Sequence, residues 1–395
     1  MSPLLLDGDV VFIKKTGFKN VNINDLICVK KSGKIFTHRV IYRSNNFVVT
    51  KGDNNTQSDG KVFSKNLIGL VFQIIRNNQL FNPTDLYLMQ STVYFKEIVS
   101  VKKALEKEKI NFLFLKGLPL HLYLEGKHPG RVYADCDLLV EEKQLAIVKK
   151  MFRRLDYKPQ DSSLSEFQKK LRGKEPEISF NKTTFGFTVS FDIHIKPVFL
   201  MVQISKLNEL YPNKLLDSLT KRFLNNKRYV EIDREIFPIL QRSDLLVYLI
   251  LHLYHHNLKG AFRFDFIENL IQKEPVNYKE VEDLIKDYKL QNFVYPGFLL
   301  LAKYYKVKFS KSFLQSIEPS HKILDFIYKN LLKISIFDDE LRIEAGIERF
   351  KNLFFLSPRG FLEKIPIFFN AEVLYAVFWV FILRFRSASS QMLKR

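Results

Sequence analysis

Asp135-Cys136-Asp137 runs straight into Leu138-Leu139-Val140, and Asp192 sits inside Val189-Ser190-Phe191-Asp192-Ile193-His194-Ile195. Residues two apart in a strand face the same side, so Asp135 and Asp137 present two carboxylates together. Two like charges that close repel unless a cation neutralises them, and Mg²⁺ suits one or two carboxylates plus phosphate oxygens. A third acid on a neighbouring strand would let two ions be held. Asp192 is the candidate, because its strand alternates and its acid stands among apolar neighbours. Upstream, Leu115-Lys116-Gly117 opens a helical pattern. Unpaired backbone N–H groups and a positive dipole end at that point suit a triphosphate. Solvated acids in an exposed loop give the same Asp-x-Asp pair, and the residues alone leave both readings open.

These side chains need elements to hold them. The apolar run 111–115 reads as a short buried strand, 117–125 as a helix, 134–140 as a second strand and 143–156 as an amphipathic helix. Residues 178–180 and 188–195 read as strands joined by 181–186, and from about residue 243 the pattern is mainly helical. Residues 1 to about 76 are different: short alternating runs at 10–13, 26–29, 35–41, 47–50 and 67–75 are separated by turn-prone residues. No Glu occurs before Glu97, which marks a separate composition. The expected class is α+β: a small all-β domain over 1–78, a linker over 79–91, an α/β core over 92–240 and a helical region over 241–395.

Composition narrows the function classes. At 395 residues with 46 % hydrophobic side chains, the chain can build two or three cores. A net charge of +20 attracts polyanions, yet no run of five consecutive Lys/Arg marks a dedicated nucleic-acid arm. Cys28 and Cys136 stand far apart, which excludes a disulfide framework and zinc spacing and fits a cytoplasmic protein. No leader pattern opens the sequence. The most apolar run, 371–383, is shorter than the roughly 20 residues of a spanning helix. It reads as a buried terminal helix, with weak contact to a membrane surface as the alternative. His252, His255 and His256 share a helix face, and packing explains them better than zinc, because no Glu-x-x-His accompanies them.

Leu115-Lys116-Gly117, Tyr123, Arg131, Asp135-Cys136-Asp137-Leu138-Leu139-Val140 and Phe191-Asp192-Ile193-His194 together resemble the bacterial nucleotidyltransferase family related to DNA polymerase β, over about 92–300. Leu251-His252, His255-His256, Arg263 and Asp265 are similar to that family's helical portion. The resemblance implies a polymerase β-like core and transfer of a nucleoside monophosphate from an NTP such as ATP, with release of pyrophosphate. Asp135, Asp137 and Asp192 would be catalytic and hold Mg²⁺ or Mn²⁺, while Lys116, Gly117 and Arg131 would bind the nucleotide. The acceptor, whether protein, RNA or small molecule, is left open. One departure is that the wider superfamily has Gly-Ser at the helix start and this chain has Gly117-Leu118, so the Ser contact to phosphate is missing.

The first 75 residues carry a second resemblance. Pro3, Gly8-Asp9, Thr37-His38-Arg39-Val40 and Thr50-Lys51-Gly52-Asp53-Asn54-Asn55 with Asp59 look like the β domain of the type I signal peptidase superfamily, in its Ser-His-Asp class. The resemblance implies His38 as base and Asp53 or Asp59 as its orienting acid. Aligning Pro3 and Gly8-Asp9 puts the expected Ser before Met1, and Ser2 is out of register by two. A base without its nucleophile has no acyl-enzyme route. Either this is a degenerate, pseudoenzyme domain that binds a peptide or stabilises the chain, or the start lies upstream. The alternative functions are a peptide-binding or processing protein led by this domain, and an inactive scaffold.

Overall fold

The computed structural model describes residues 5–53, 55, 57–133, 135–160, 177–185, 187–197, 205–305, 307–338, 342–375 and 378. The molecule is a mixed α+β protein, with an all-β N-terminal part, a central mixed sheet and a helical C-terminal part. The N-terminal strands are β1 (Val10–Lys14), β2 (Leu26–Lys31), β3 (Lys34–Arg43), β4 (Val48–Lys51), β5 (Lys61–Val62), β6 (Leu67–Arg76) and β7 (Gln79–Phe81). They form one antiparallel sheet in the order β1-β6-β2-β3-β4-β5, with β7 on β6. Alternation works here as expected: Ile27, Val29, Val40, Val48 and Val62 point into one small core with Val21.

Residues 79–91, expected as a linker, hold β7 and the start of α1 (Pro83–Lys107). Asn82 precedes the helix, Pro83 opens it, and the Asp85 carboxylate accepts a hydrogen bond from the Asn82 N–H at 3.4 Å. Polar composition marked this stretch as loop, but those residues are helix-start signals. Tyr87, Tyr94, Ile98, Val101 and Leu105 recur at helical spacing and are buried. Tyr87 belongs to a core with Leu26, Val71 and Ile74, so α1 leaves the first sheet and carries the chain into the second.

The central sheet follows the order β10-β11-β12-β9-β8-β14-β13. Its strands are β8 (Phe112–Lys116), β9 (Cys136–Val140), β10 (Lys158–Pro159), β11 (Glu177–Thr184), β12 (Phe187–His194), β13 (Lys227–Ile232) and β14 (Glu235–Leu240). Between them run α2 (Leu118–Glu125), α3 (Leu145–Arg154) and α4 (Asn213–Asn225). The hairpin β11–β12 is longer than expected: both strands extend into 181–184 and 187. β13 and β14 are a further difference, turning at Asp233 and Arg234, both with left-handed φ. β14 lies beside β8, and Phe237 meets the rings of Phe95 and Phe114. Burying each such side chain stabilises the sheet by about 1.5–3 kcal/mol.

The helical part follows as α5 (Arg242–His255), α6 (Ala261–Lys273), α7 (Tyr278–Asp287), α8 (Gln291–Tyr304), α9 (Lys311–Ser316), α10 (His321–Phe326), α11 (Arg342–Leu356) and α12 (Phe361–Phe368). Helix α5 is apolar on nearly every face and sits inside the main core, which runs from Tyr94 to Val373. The N-terminal sheet docks on this part. Tyr42 on β3 packs against Phe337 with ring centres 4.9 Å apart, and its hydroxyl donates to the Tyr304 carbonyl at 3.2 Å. Ser58 donates to Asp338 through N–H and hydroxyl. Among the described residues no helix is long and apolar enough to cross a membrane. Most of the apolar run 371–383, and the segment around Met1, Ser2 and Pro3, lie outside the described residues.

Candidate active site

Three adjacent strands set the site. In the parallel pair β9–β12, Asp137 lies directly opposite Asp192, and in the antiparallel pair β8–β9 it lies opposite Lys116. Lys116, Asp137 and Asp192 therefore form a cross-strand row, with Asp135 just ahead of β9. One carboxylate oxygen from each of Asp135, Asp137 and Asp192 falls within 4.8 Å of the others. Among the described residues, this is the one group of three such side chains placed to hold a metal ion. Asp137 is 2 % exposed, whereas Asp135 stands at the cleft edge with its side chain 47 % exposed.

The charges around the three acids differ. The Lys116 ammonium lies 2.5 Å from Asp137 and 3.5 Å from Asp135. His194 Nε2 is 2.8 Å from the other Asp137 oxygen. Burial by itself raises the Asp137 carboxyl, but the Lys116 charge and the His194 hydrogen bond outweigh it and hold the group at about 2. Asp192 goes the other way: burial first, then the Asp137 and Glu177 charges, push it up to about 7. The Ser179 hydroxyl donates to Asp192 at 2.6 Å and opposes that rise. Burial disfavours the charged forms of Lys116 and His194, yet the adjacent carboxylates raise both.

A divalent cation fits this donor set. Three carboxylates meet, one almost wholly buried, and a lysine ammonium already lies against two of them as the positive charge they require. Gly117 links the row to α2. Its φ of 105° is left-handed, and a Cβ there would lie 3.1 Å from the Asp135 carbonyl oxygen and from the Cys136 Cα. Glycine is thus required by both conformation and space. The turn lines a cleft of about 400 Å³ together with Lys116, Arg131, Asp135, His252 and Arg263 among others.

The remaining expected residues fall as follows. The Arg131 guanidinium lies over the rings of Tyr133 (4.2 Å) and Phe262 (4.7 Å) and donates to the Tyr133 hydroxyl, so it faces the cleft without pairing with the acids. His252, His255 and His256 are half-buried, and desolvation pushes all three well below the ordinary histidine range, which favours their neutral forms. In the N-terminal sheet, His38 Nδ1 meets Asp59 at 2.7 Å, and the Thr50 hydroxyl donates to the same carboxylate oxygen. Asp53 does not join them; it pairs with Arg39 at 2.6 Å. Ser179 and Glu177 were not anticipated. Their signal is the alternation of β11, which turns Glu177, Ser179, Asp192 and His194 to one surface.

Comparison with known proteins adds a family. No curated protein sequence matches the chain significantly. A solved antigenic nucleotidyltransferase-like protein from Paracoccidioides brasiliensis is similar over 55 % of this chain and 93 % of its own, at 14 % identity and a TM-score of 0.30, too low to argue from. The family described as "Uncharacterised nucleotidyltransferase" matches residues 76–306, a span that holds all three acids, Lys116 and Gly117. That span is more than half of the sequence, and the chain belongs to this nucleotidyltransferase family.

Proposed function

We propose that the protein transfers a nucleoside monophosphate from an NTP to an acceptor, with release of pyrophosphate. The observation that carries this reading is the meeting of Asp135, Asp137 and Asp192 beside the Gly117 turn, within a chain of nucleotidyltransferase ancestry. Asp135 and Asp137 would hold Mg²⁺ or Mn²⁺, with Asp192 completing the set. When bound, such ions supply positive charge to the attacking and leaving oxygens of the displacement. The Gly117 turn, which lines the cleft beside Lys116 and Asp135, would receive the triphosphate. With cations on the carboxylates, Lys116 would be free to turn to the phosphates. Asp192 would accept the proton of the attacking hydroxyl or amine. His194 and Ser179 fix Asp137 and Asp192 in that geometry.

The test is to incubate the purified chain with Mg²⁺, each α-labelled NTP and candidate acceptors drawn from protein, RNA and small-molecule pools. Label should pass to one pool and vanish in Asp137→Asn. Equal labelling by that variant would end the assignment.

A second reading concerns the N-terminal sheet. The His38–Asp59 pair, buttressed by Thr50, has the arrangement of a general base and its orienting acid. Gly52 leaves the other ring nitrogen open, since a Cβ there would come within 2.9 Å of His38 Nε2. This region is then a degenerate peptidase that retains its base and seats an extended peptide. Labelling of the full chain by a fluorophosphonate, lost in His38→Ala, would show an active peptidase instead.

A further inference from the structure

The cleft at the acids has a larger neighbour. A cavity of about 640 Å³ lies between the N-terminal sheet, the loop after α2 and helix α6. Asp53, Arg131, Phe262 and Phe266 line this cavity and the 400 Å³ cleft alike, so the two adjoin through a shared wall. Taking the nucleotidyltransferase reading as its basis, we propose that the larger cavity is the acceptor site. Its ligand is a small molecule bearing a carboxylate or phosphate together with a hydroxyl or amine. The N-terminal sheet is then part of the transferase, because it and its loops supply more than a third of the wall.

Size is the first support: the volume falls within the roughly 300–1,000 Å³ of sites for small molecules. Charge is the second. Arg43 and Lys127 line the cavity and form no ion pair with a carboxylate among the described residues. Arg43 is steadied from behind by the Lys19 carbonyl and the Asn22 side chain. Arg131, stacked between two rings at the shared wall, adds a fixed guanidinium. Glu125, Asp265 and Glu268 also line the cavity, so an anion would sit where Arg43 and Lys127 outweigh them.

The third support is an unanswered acceptor. Asp53 is 6 % exposed, and Arg39 donates to one of its oxygens from two nitrogens. The other oxygen is buried and has no hydrogen-bond partner among the described residues. Leaving a buried carboxylate oxygen unpaired is costly, and a ligand O–H or N–H relieves it. A Cβ at Gly130 would lie 3.0 Å from the Asn24 Cβ, so the loop after α2 abuts the N-terminal sheet with no room to spare.

The experiment titrates the full chain with orthophosphate and, separately, with succinate, by calorimetry. The proteins are the wild type, Arg43→Ala/Lys127→Ala and Lys116→Met, each checked for a cooperative thermal melt. One anion should bind the wild type, bind the double variant at least about tenfold more weakly, and bind Lys116→Met within about twofold of wild type. Which anion binds separates phosphate-bearing from carboxylate-bearing acceptors. Failure of both anions to bind overturns the proposal. So does binding that survives in the double variant but is lost in Lys116→Met, because the anion would then sit at the Gly117 end. Mg-NTP binding is measured on the same samples. Its absence would remove the nucleotidyltransferase reading and leave the anion result standing on its own.

Discussion

At the scale of single residues, Lys116 ties the metal-free site together. Its ammonium is the partner of a buried carboxylate, and removing one member of a buried pair leaves an uncompensated charge. Lys116→Met should therefore destabilise the metal-free protein by about 3–5 kcal/mol. Millimolar Mg²⁺ should restore most of that loss, since a divalent cation answers the same carboxylates. Thermal melts in chelator and in Mg²⁺ check this, and an equal loss in both would separate Lys116 from the cation site. Much of this scale was legible in advance: Asp135, Asp137 and Asp192 were singled out by alternation and apolar flanks. The place of Lys116 was not, because a helix-start motif shows the way to phosphate and says nothing of cross-strand register. Nor could the sequence choose between Asp53 and Asp59 for His38, which depends on how the turn after β4 folds back.

At the scale of elements, two connections bear weight. The strand-to-helix turn at Gly117 needs a left-handed φ, so Gly117→Ala should cost about 1–3 kcal/mol in stability. It should also weaken Mg-NTP binding by displacing the Asp135 backbone. Denaturant melts and nucleotide titration test both, and a neutral effect on both would contradict the turn's role. The second connection joins α6 to the end of α8. Tyr305 has one hydroxyl proton for two oxygens, those of Ala261 (3.0 Å) and Asp265 (2.8 Å). Burial pushes the Asp265 carboxyl up to about 7, and a protonated Asp265 resolves the conflict. A folded-state pKa above the unfolded one gives stability that is full at low pH and falls as pH rises through the folded value. The contribution should fade between about pH 4 and about pH 7, and Asp265→Asn should flatten that slope in melts across this range.

Element types followed hydrophobic period well, and element edges less so. The hairpin β13–β14 was missed although Tyr229, Glu231 and Ile236 alternate around Asp233-Arg234. Without a Gly in it, the turn gave no sequence mark. Polarity alone marks residues 79–91 as a linker, whereas Asn82, Pro83 and Asp85 are the signals that start α1.

At the scale of the whole molecule, the two sheets act together. The N-terminal sheet meets the helical part through Tyr42, Phe337 and Ser58–Asp338, and so closes the cavity beside the acids. No sequence pattern marks this contact, since it joins residues as far apart as Ser58 and Asp338. Tyr42→Ala removes an aromatic side chain from that contact and should cost about 2–4 kcal/mol. Limited proteolysis should then release the N-terminal part sooner than in the wild type. Unchanged protease resistance would mean the sheet is held by other contacts.

The central claim is that Asp135, Asp137 and Asp192 together hold divalent cations. The most direct measurement is the anomalous diffraction of crystals grown with Mn²⁺ and a non-hydrolysable NTP. Mn²⁺ peaks should bridge these three carboxylates and the triphosphate, with Lys116 turned away from Asp137. Peaks elsewhere, or a Lys116–Asp137 pair intact beside a bound nucleotide, would contradict it.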